Sequence, residues 1–379
     1  MSVPTAFVLG LYGATALGIV RGLNKAGIPI KGFHKGTAQP HAADSRYVLE
    51  HVLAQSEEEF LERLNATQQG EDEKGVLFAT SDEYALFCQD HAAELEERFH
   101  IPLARTGSVT DLLSKEQNAL IGEQAGFSVP HTQLLSTLNQ NTFKGPVLAK
   151  PLSSVGTSKQ DISIYQNVDE LILKRGQLLH TYGDLVVQDY VPGGTEDHIE
   201  VHTYLTKQGP IILGMLKKVL AKKNGTEGSV GVIAESAWMP ELVEPSLALT
   251  ESLQFSGPLD INLKRDAVTG KFYFLEVNLR CSSNLSLDTA AGRNAPATHY
   301  FEVTGLRPTS ATLPEEEFQL GVRWLHEERL MNYLSTASLA ESRAAAQCMR
   351  RIGAFVYFDP LDPLPYFKLL KKMKFPDKL

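Results

Sequence analysis

Cysteine is scarce and scattered in this chain. Among its 379 residues there are three, Cys88, Cys281 and Cys348, far apart and with no CxxC spacing. That odd count excludes a disulfide scaffold or a structural zinc site and fits a reducing compartment. Long apolar runs are missing too, and no stretch approaches the roughly 20 residues that span a bilayer. Met1-Ser2-Val3-Pro4-Thr5 carries no basic stretch, and glycines break the apolar run behind it, so no secretory signal is expected. Asn65-Ala66-Thr67 and Asn224-Gly225-Thr226 are therefore glycosylation sequons by pattern only. Cationic excess is absent as well: 36 Lys and Arg against 45 Asp and Glu give a net charge of −9. Phosphate backbones attract basic surfaces, so no nucleic-acid partner is expected. The 11 histidines show no metal-ligand spacing, and the close pair His198 and His202 reads as ordinary. Neither an internal repeat nor a low-complexity segment occurs. The expected compartment is the cytoplasm.

What is present is an ordinary globular composition, 43% hydrophobic and 21% charged. The length exceeds what one hydrophobic core usually serves, so two or three domains are expected. Ala6–Leu9 is a short β-rich run, Gly10-Leu11-Tyr12-Gly13 follows, and an apolar-periodic segment runs from Ala14 to Lys25. Gly27 ends that helix and Ile28–Phe33 reads as the next strand, a βαβ unit that implies a parallel sheet. A charged helix over Ser56–Leu64, a strand over Gly75–Ala79 and a helix over Glu83–Phe99 complete an expected α/β domain, residues 1–110. Beyond it come a helix over Leu112–Gln124, a strand over Val147–Pro151, a helix over Val168–His180 and a strand over Asp184–Val191. Several strands with turn-rich breaks follow, and Asp266–Gly270 joins Leu259–Lys264 to Lys271–Asn278 as a hairpin. The last part reads as helical, then strand-like at Gly353–Phe358, and ends in a basic amphipathic tail around Lys368–Lys374.

Gly10, Gly13 and Gly18 invite a dinucleotide-binding reading, but their spacing is GxxGxxxxG rather than GxGxxG. Lys31, His34 and Lys35 stand where an acidic ribose ligand would be needed, so the loop either binds another ligand or only makes a tight turn. Lys150 ends a buried strand, where a cation is expensive to desolvate unless an anion meets it. Ser153, Ser154, Gly156 and Thr157 behind it can offer N–H and hydroxyl donors to phosphate. The bland reading is a surface loop with a chance lysine. The strongest signal is Glu276-Val277-Asn278-Leu279-Arg280. Strand alternation puts Glu276, Asn278 and Arg280 on one face, a row that suits Mg²⁺ beside phosphate. Asp260 and Asn262 on the partner strand could add oxygens there; the plain alternative is a solvated sheet face. Gly193–His198 carries either a ribose-binding carboxylate or a polar turn. Lys217–Lys223, leading into Gly225–Ser229, is either a solvated face or a lid beside a phosphate site. Arg293 is a candidate anchor for a substrate carboxylate, with surface exposure as the alternative.

These elements occur in the order of an ATP-grasp enzyme, and the chain resembles that superfamily from near its start to about residue 305. More narrowly it resembles the carbamoyl-phosphate-synthetase-like carboxylate–amine ligases, a group that includes D-aspartate ligases. The resemblance rests on Ser45-Arg46-Tyr47-Val48, Ser114-Lys115-Glu116-Gln117-Asn118, Gly126-Phe127-Ser128-Val129-Pro130, Leu148-Ala149-Lys150-Pro151 and Gln188-Asp189-Tyr190-Val191-Pro192-Gly193. Its longest match runs from Gly257-Pro258-Leu259-Asp260 through Arg280 to Ala290-Ala291-Gly292, and Asp359-Pro360-Leu361-Asp362-Pro363 resembles tails of the group. It implies an α/β and α+β fold: an N-terminal parallel-sheet (pre-ATP-grasp) domain, residues 1–110, then a two-lobed ATP-grasp domain. The small lobe would cover 111–190, the large lobe 191–308 and a C-terminal α/β extension 309–379.

By the same resemblance Lys115 and Lys150 hold the ATP phosphates, Ser153 to Thr157 cover them, and Gln188, Asp189 and Val191 read adenine. Glu196 takes the ribose, Glu276, Asn278 and Asn262 hold Mg²⁺, and Arg280 faces the transferred phosphate. Lys217 and Arg293 are assigned to substrate. Two positions depart from the pattern: Asn262 stands where an acid is usual, and Gln188 where many relatives have glutamate. The implied reaction activates a small-molecule carboxylate as an acyl phosphate and joins it to an amine, with the 153–157 and 225–231 loops excluding water. A bicarbonate-dependent carboxylase or synthetase of the same fold and an NAD(P)-dependent oxidoreductase are the alternatives. A homodimer is the usual expectation for such enzymes.

Overall fold

The computed structural model describes residues 3–36, 40–105, 107, 109–152, 163–221, 229–234, 240–306, 318–350 and 352–374. The first sheet contains β1 (Ala6–Leu9), β2 (Ile30–Lys35), β3 (Val48–Ala54), β4 (Gly75–Ala79) and β5 (Phe99–His100). They lie in the order β3-β2-β1-β4-β5 and every pairing is parallel. β1 and β4 are unbroken buried apolar runs, as strands covered on both faces must be. Gly10 ends β1 with φ +86°, and a Cβ there would meet Tyr84 at 2.3 Å and Thr80 at 2.4 Å. Its freedom from a side chain serves a tight turn packed by its own neighbours.

Three local expectations change. β3 is an edge strand with Leu49, Glu50 and His51 exposed, so it lacks the apolar alternation that marks a strand. The helix expected over Glu83–Phe99 divides into Asp82–Asp90 and Ala92–Leu95. Phe99 instead opens β5, where its ring packs edge-on against Phe7 at 5.2 Å. The helix expected over Leu112–Gln124 is two, Val109–Leu113 and Lys115–Gln124, because Ser114 takes an extended backbone at the second helix's start.

The second sheet holds β6 (Thr132–Leu134), β7 (Val147–Pro151), β8 (Ser163–Tyr165) and β9 (Leu185–Asp189) in the antiparallel order β6-β9-β7-β8. With the helix Val168–Tyr182 it closes a small core of its own around Leu135, Val147, Leu171 and Val187. The third sheet has seven strands. These are β10 (His198–Thr206), β11 (Gly209–Ala221), β12 (Ser229–Ala234), β13 (Leu259–Arg265), β14 (Phe272–Asn278), β15 (Arg323–Leu325) and β16 (Ile352–Phe355). Their order is β14-β13-β10-β11-β12-β15-β16, so the C-terminal strands extend the large sheet. First and third sheets share one core, in which Phe7 and Leu77 join Val201, Ile261 and Val277. Among the described residues no helix is long and apolar enough to cross a membrane.

A buried carboxylate helps to tie the C-terminal segment back to the N-terminal sheet. Fully buried Asp362 accepts from Ser45 Oγ at 2.9 Å, from Arg46 N–H at 3.0 Å and from Arg21 at 3.3 Å. Arg21 also donates to the carbonyls of Val356 and Tyr357, each at 2.8 Å. Asp362→Ala would leave the Ser45 hydroxyl and the Arg46 N–H without their acceptor and Arg21 without its buried carboxylate. We expect it to destabilise the fold by about 3 kcal/mol, read as a lower denaturation midpoint and faster proteolysis of the C-terminal segment.

His299, on the helix Ala295–Thr304, is buried between Phe78 of β4 and Tyr204 of β10, whose hydroxyl lies 3.1 Å from Nδ1. Burial first, and the charge of His100 beside it, push its pKa from 6.5 down to about 3. Below pH 6.5 the unfolded chain takes up a proton that the folded chain refuses. Stability should therefore fall as the pH drops from 6.5 toward 3, by on the order of 4 kcal/mol from this residue. In His299→Gln, acid-denaturation curves should lose that part of the slope.

Candidate active site

Along β10, β13 and β14 the third sheet has one dry face and one polar face. Ile199, Val201, Ile261, Leu263, Phe274 and Val277 point into the shared core. Strand alternation, with a bulge at Leu275 that lets Phe274 and Glu276 face opposite ways, then sends Glu200, His202, Asp260, Asn262, Glu276 and Asn278 to the other side. Register aligns them as two transverse rows. Asn262 pairs with Glu200 on one side and Glu276 on the other, and Asp260 with His202 and Asn278.

Hydrogen bonds fix these side chains. Asn262 Nδ2 donates to Asp260 Oδ1 at 3.0 Å and Asn278 Nδ2 to Asp260 Oδ2 at 3.1 Å. Arg280 Nη2 donates to Asn278 Oδ1 at 3.4 Å, and its Nε to Asp82 Oδ1 at 3.0 Å. Asp82 lies in the first turn of the helix Asp82–Asp90, so the row's end is held by the N-terminal sheet's own helix. Burial works against the Arg280 charge, but Asp82, Asp260 and Glu276 outweigh it and raise its pKa. With both asparagine N–H groups turned onto Asp260, their amide oxygens and the Glu276 carboxylate are a set of hard oxygen donors. That chemistry fits Mg²⁺.

β14 is the sheet's edge, and an edge strand exposes unpaired backbone groups. Asn118, buried on the helix Lys115–Gln124, closes it by accepting the Val277 N–H at 2.7 Å. The small lobe faces this row with Lys150 on β7. Its ammonium is buried and donates to Gln188 Oε1 at 3.3 Å, while Gln188 Nε2 donates to Thr132 Oγ1 at 3.0 Å. Burial lowers the Lys150 pKa and the negative charge of Glu276 partly restores it. A lysine and a carboxylate from opposite lobes thus share one field.

Not all expected residues gather here. The side chain of Lys115 and the residues Ser153, Ser154, Gly156 and Thr157 lie outside the described residues, as do 225–228 of the expected lid. Ser229 to Gly231, expected as the rest of that lid, belong to β12 and are held by pairing to β11 and β15. Asp189 is half-buried and Val191 buried at the end of β9. Glu196 is exposed on the turn Thr195–Asp197 and lies 3.6 Å from Lys217. Lys217 pairs in register with Ile199, which puts it on the face away from the polar rows. Alternation along β11 brings Lys218 to the rows instead, 3.3 Å from Glu200 Oε1. Lys31 is paired with Glu50, and Lys35 with Glu57 and Glu83. Arg293, half-buried, follows the helix Leu285–Ala290 and its N–H donates to the Asp288 carbonyl at 2.7 Å.

The structure adds a group that sequence reasoning passed over. His202 Nδ1 is in direct hydrogen-bond contact with Asp288 Oδ2, and Glu200 Oε2 accepts from Asn284 Nδ2 at 2.6 Å. Burial would lower the His202 pKa, but Asp288, Asp260 and Glu200 together raise it to about 9. Burial raises the Asp288 carboxyl although His202 draws it down, so however the charge divides, one proton lies between Nδ1 and Oδ2. Far from ordinary, His202 is the centre of a carboxylate cluster. The available signal was the repeat of one pattern: Glu200/His202, Asp260/Asn262 and Glu276/Asn278 are all polar pairs two residues apart on apolar strands.

No protein-family model matches the chain. It is 24% identical over 325 residues to the D-aspartate ligase of Enterococcus faecium (strain Aus0004), which covers 79% of this chain and 76% of that protein. Among solved structures, the biotin carboxylase domain of Hydrogenobacter thermophilus 2-oxoglutarate carboxylase, in complex with MgADP and bicarbonate, superposes with a TM-score of 0.64. It is 15% identical, and the match covers 85% of this chain and 74% of that one. The L-amino acid ligase from Bacillus licheniformis gives a TM-score of 0.63 at 15% identity, with 85% and 79% covered. Rhizobium etli pyruvate carboxylase is similar at a TM-score of 0.64 and 15% identity over 85% of this chain, but the match spans only 30% of that enzyme. The fold of this chain is the ATP-grasp fold, and the chain is similar in sequence to a D-aspartate ligase.

Proposed function

We propose that this protein is an ATP-dependent, ADP-forming carboxylate–amine ligase working in the cytoplasm. The observation that carries the reading is the buried Lys150 of one lobe sharing a field with Glu276 of the other, across hard oxygen donors. A cation with no solvent and a carboxylate row with spare donors are suited to a polyphosphate laid between them. Lys115, Lys150 and the Ser153, Ser154, Gly156 and Thr157 loop would take the phosphates. Gln188, Asp189 and Val191 would border the adenine and Glu196 the ribose. Glu276, Asn278 and Asn262 would hold Mg²⁺, which when bound neutralises phosphate oxygens.

The chemistry is two displacements. A carboxylate oxygen of the first substrate attacks the γ-phosphorus, ADP leaves, and an acyl phosphate forms. The amine nitrogen of the second substrate then attacks the acyl carbon, phosphate leaves, and the amine loses a proton to give the amide. Arg280, held by Asp82 beside Asn278, is aligned to steady the charge on the transferred phosphoryl group. Arg293 is assigned to the substrate carboxylate. Lys217 faces away from the rows, which makes Lys218 the lysine of β11 that serves them.

A screen of amino acids and small carboxylates for substrate-dependent ADP release, with mass spectrometry of the product, tests the reading. An amide product is expected; ADP release that instead requires bicarbonate would move the enzyme to the carboxylases. Glu276→Ala should lower turnover by about 10²-fold or more at an unchanged denaturation midpoint. Normal turnover by that folded variant would sink the metal assignment. Lys150→Met removes a desolvated charge. It should stabilise the apo-protein by roughly 1 kcal/mol while abolishing ATP binding, both measurable by denaturation with and without nucleotide.

A further inference from the structure

We infer that Glu200, His202 and Asp260 form a second divalent-cation site, selective for a transition metal such as Zn²⁺ or Mn²⁺ and distinct from the Glu276, Asn278 and Asn262 position. One ligand atom from each of the three lies within 4.8 Å of the others, and all three residues are buried. A cation that draws its donors to about 2.1 Å would close that spread by small side-chain rotations.

The histidine shows how the cluster is built. Its Nε2 is buried, makes no hydrogen bond, and lies 3.7 Å from Asp260 Oδ1. Its Nδ1 is held by Asp288, which turns Nε2 to the carboxylates, where a bound cation would take the place of the Nε2 proton. A carboxylate on the far ring nitrogen is the arrangement that orients a metal-binding imidazole and raises its basicity. Room for Asp288 is made by Gly214, the register partner of His202, where a Cβ would stand 2.0 Å from Asp288 Oδ1. Asn284 fixes Glu200, and Asn262 and Asn278 fix Asp260. Each carboxylate oxygen has two lone pairs, so Asp260, with one asparagine on each oxygen, keeps a site for a cation on either. An imidazole with two carboxylates suits Zn²⁺ or Mn²⁺, whereas an all-oxygen set suits Mg²⁺. The neighbouring positions would thus sort metals by ligand type, with Asp260 standing between them.

The test is equilibrium titration of the chelator-stripped, tag-free protein with ZnCl₂ in excess Mg²⁺, followed by zinc X-ray absorption. About one Zn²⁺ per chain with a single imidazole in its shell is expected. Glu276→Ala should keep that stoichiometry and His202→Gln should lose it. Gly214→Ala, which retains every ligand but displaces Asp288, should weaken Zn²⁺ binding about 10–100-fold. Zinc retained in His202→Gln or lost in Glu276→Ala would overturn the inference. Should His202→Gln fail to fold, a zinc shell without imidazole in the wild-type protein does the same.

Discussion

Everything at this site depends on keeping charge buried in a sheet without leaving any of it alone. Glu200, Asp260 and Asp288 are buried on or against one face, with Lys218, Arg280 and His202 among them. An isolated charge in such surroundings would be neutralised by proton uptake or release. Pairing across strands prevents that: Glu200 meets Lys218 and Asn284, Asp260 meets two asparagines, and Arg280 reaches Asp82. The register of β10, β13 and β14 is therefore more than a way to bury Ile261 and Val277. A one-residue slip would send the carboxylates into the apolar core.

The other elements can be understood as supports for that register. Asn118 closes the outer edge of β14, and Phe274 packs so tightly beneath Gly122 that a Cβ there would stand 2.4 Å from its ring. The N-terminal sheet contributes Asp82 to the guanidinium and Tyr84 to the turn at Gly10. Its glycine loop is thereby packed from within, which accounts for a spacing unlike a dinucleotide fingerprint. Asp362 binds the C-terminal segment to Ser45 and Arg46. Those two stretches each looked weakly specific as sequence, and the structure gives the reason they occur together. They are two halves of one buried hydrogen-bond network.

Much of this was legible in the sequence, because strands buried on both faces or on one announce themselves by apolar runs or alternation. β1, β4, β7, β13 and β14 lie within a residue or two of their expected bounds, with Glu276 and Asn278 on β14 and Lys150 on β7. β3 escaped because Leu49, Glu50 and His51 are exposed and break the alternation. The break at Ser114 escaped because a serine, although favoured at helix starts, is tolerated inside a helix, and its side chain makes no capping bond here. Lys217 was preferred to Lys218 because a run of lysines carries no sign of which side faces inward; only pairing to Ile199 and Glu200 decides it. His202 escaped for a related reason. Its partner Asp288 is 86 residues away, and sequence spacing is silent on contacts made by tertiary packing.

The asparagine at 262 departs from the pattern of the resembling enzymes, and the sheet explains how it can. Position 262 lies between Glu200 and Glu276 in register and two residues from Asp260. A carboxylate there would be the fourth in a patch where burial first, and the negative charges of Glu200 and Glu276 with it, already push the Asp260 pKa up against the pull of His202 and Arg280. Asparagine removes that repulsion, donates an N–H to Asp260 and still offers a hard oxygen. Negative charge stands instead on the two positions next to it, Glu200 across the register on β10 and Asp260 two residues away on β13 itself. There Glu200 meets Lys218 and Asp260 faces His202, so the repulsion that a fourth carboxylate would add is replaced by contact with a cation and an imidazole.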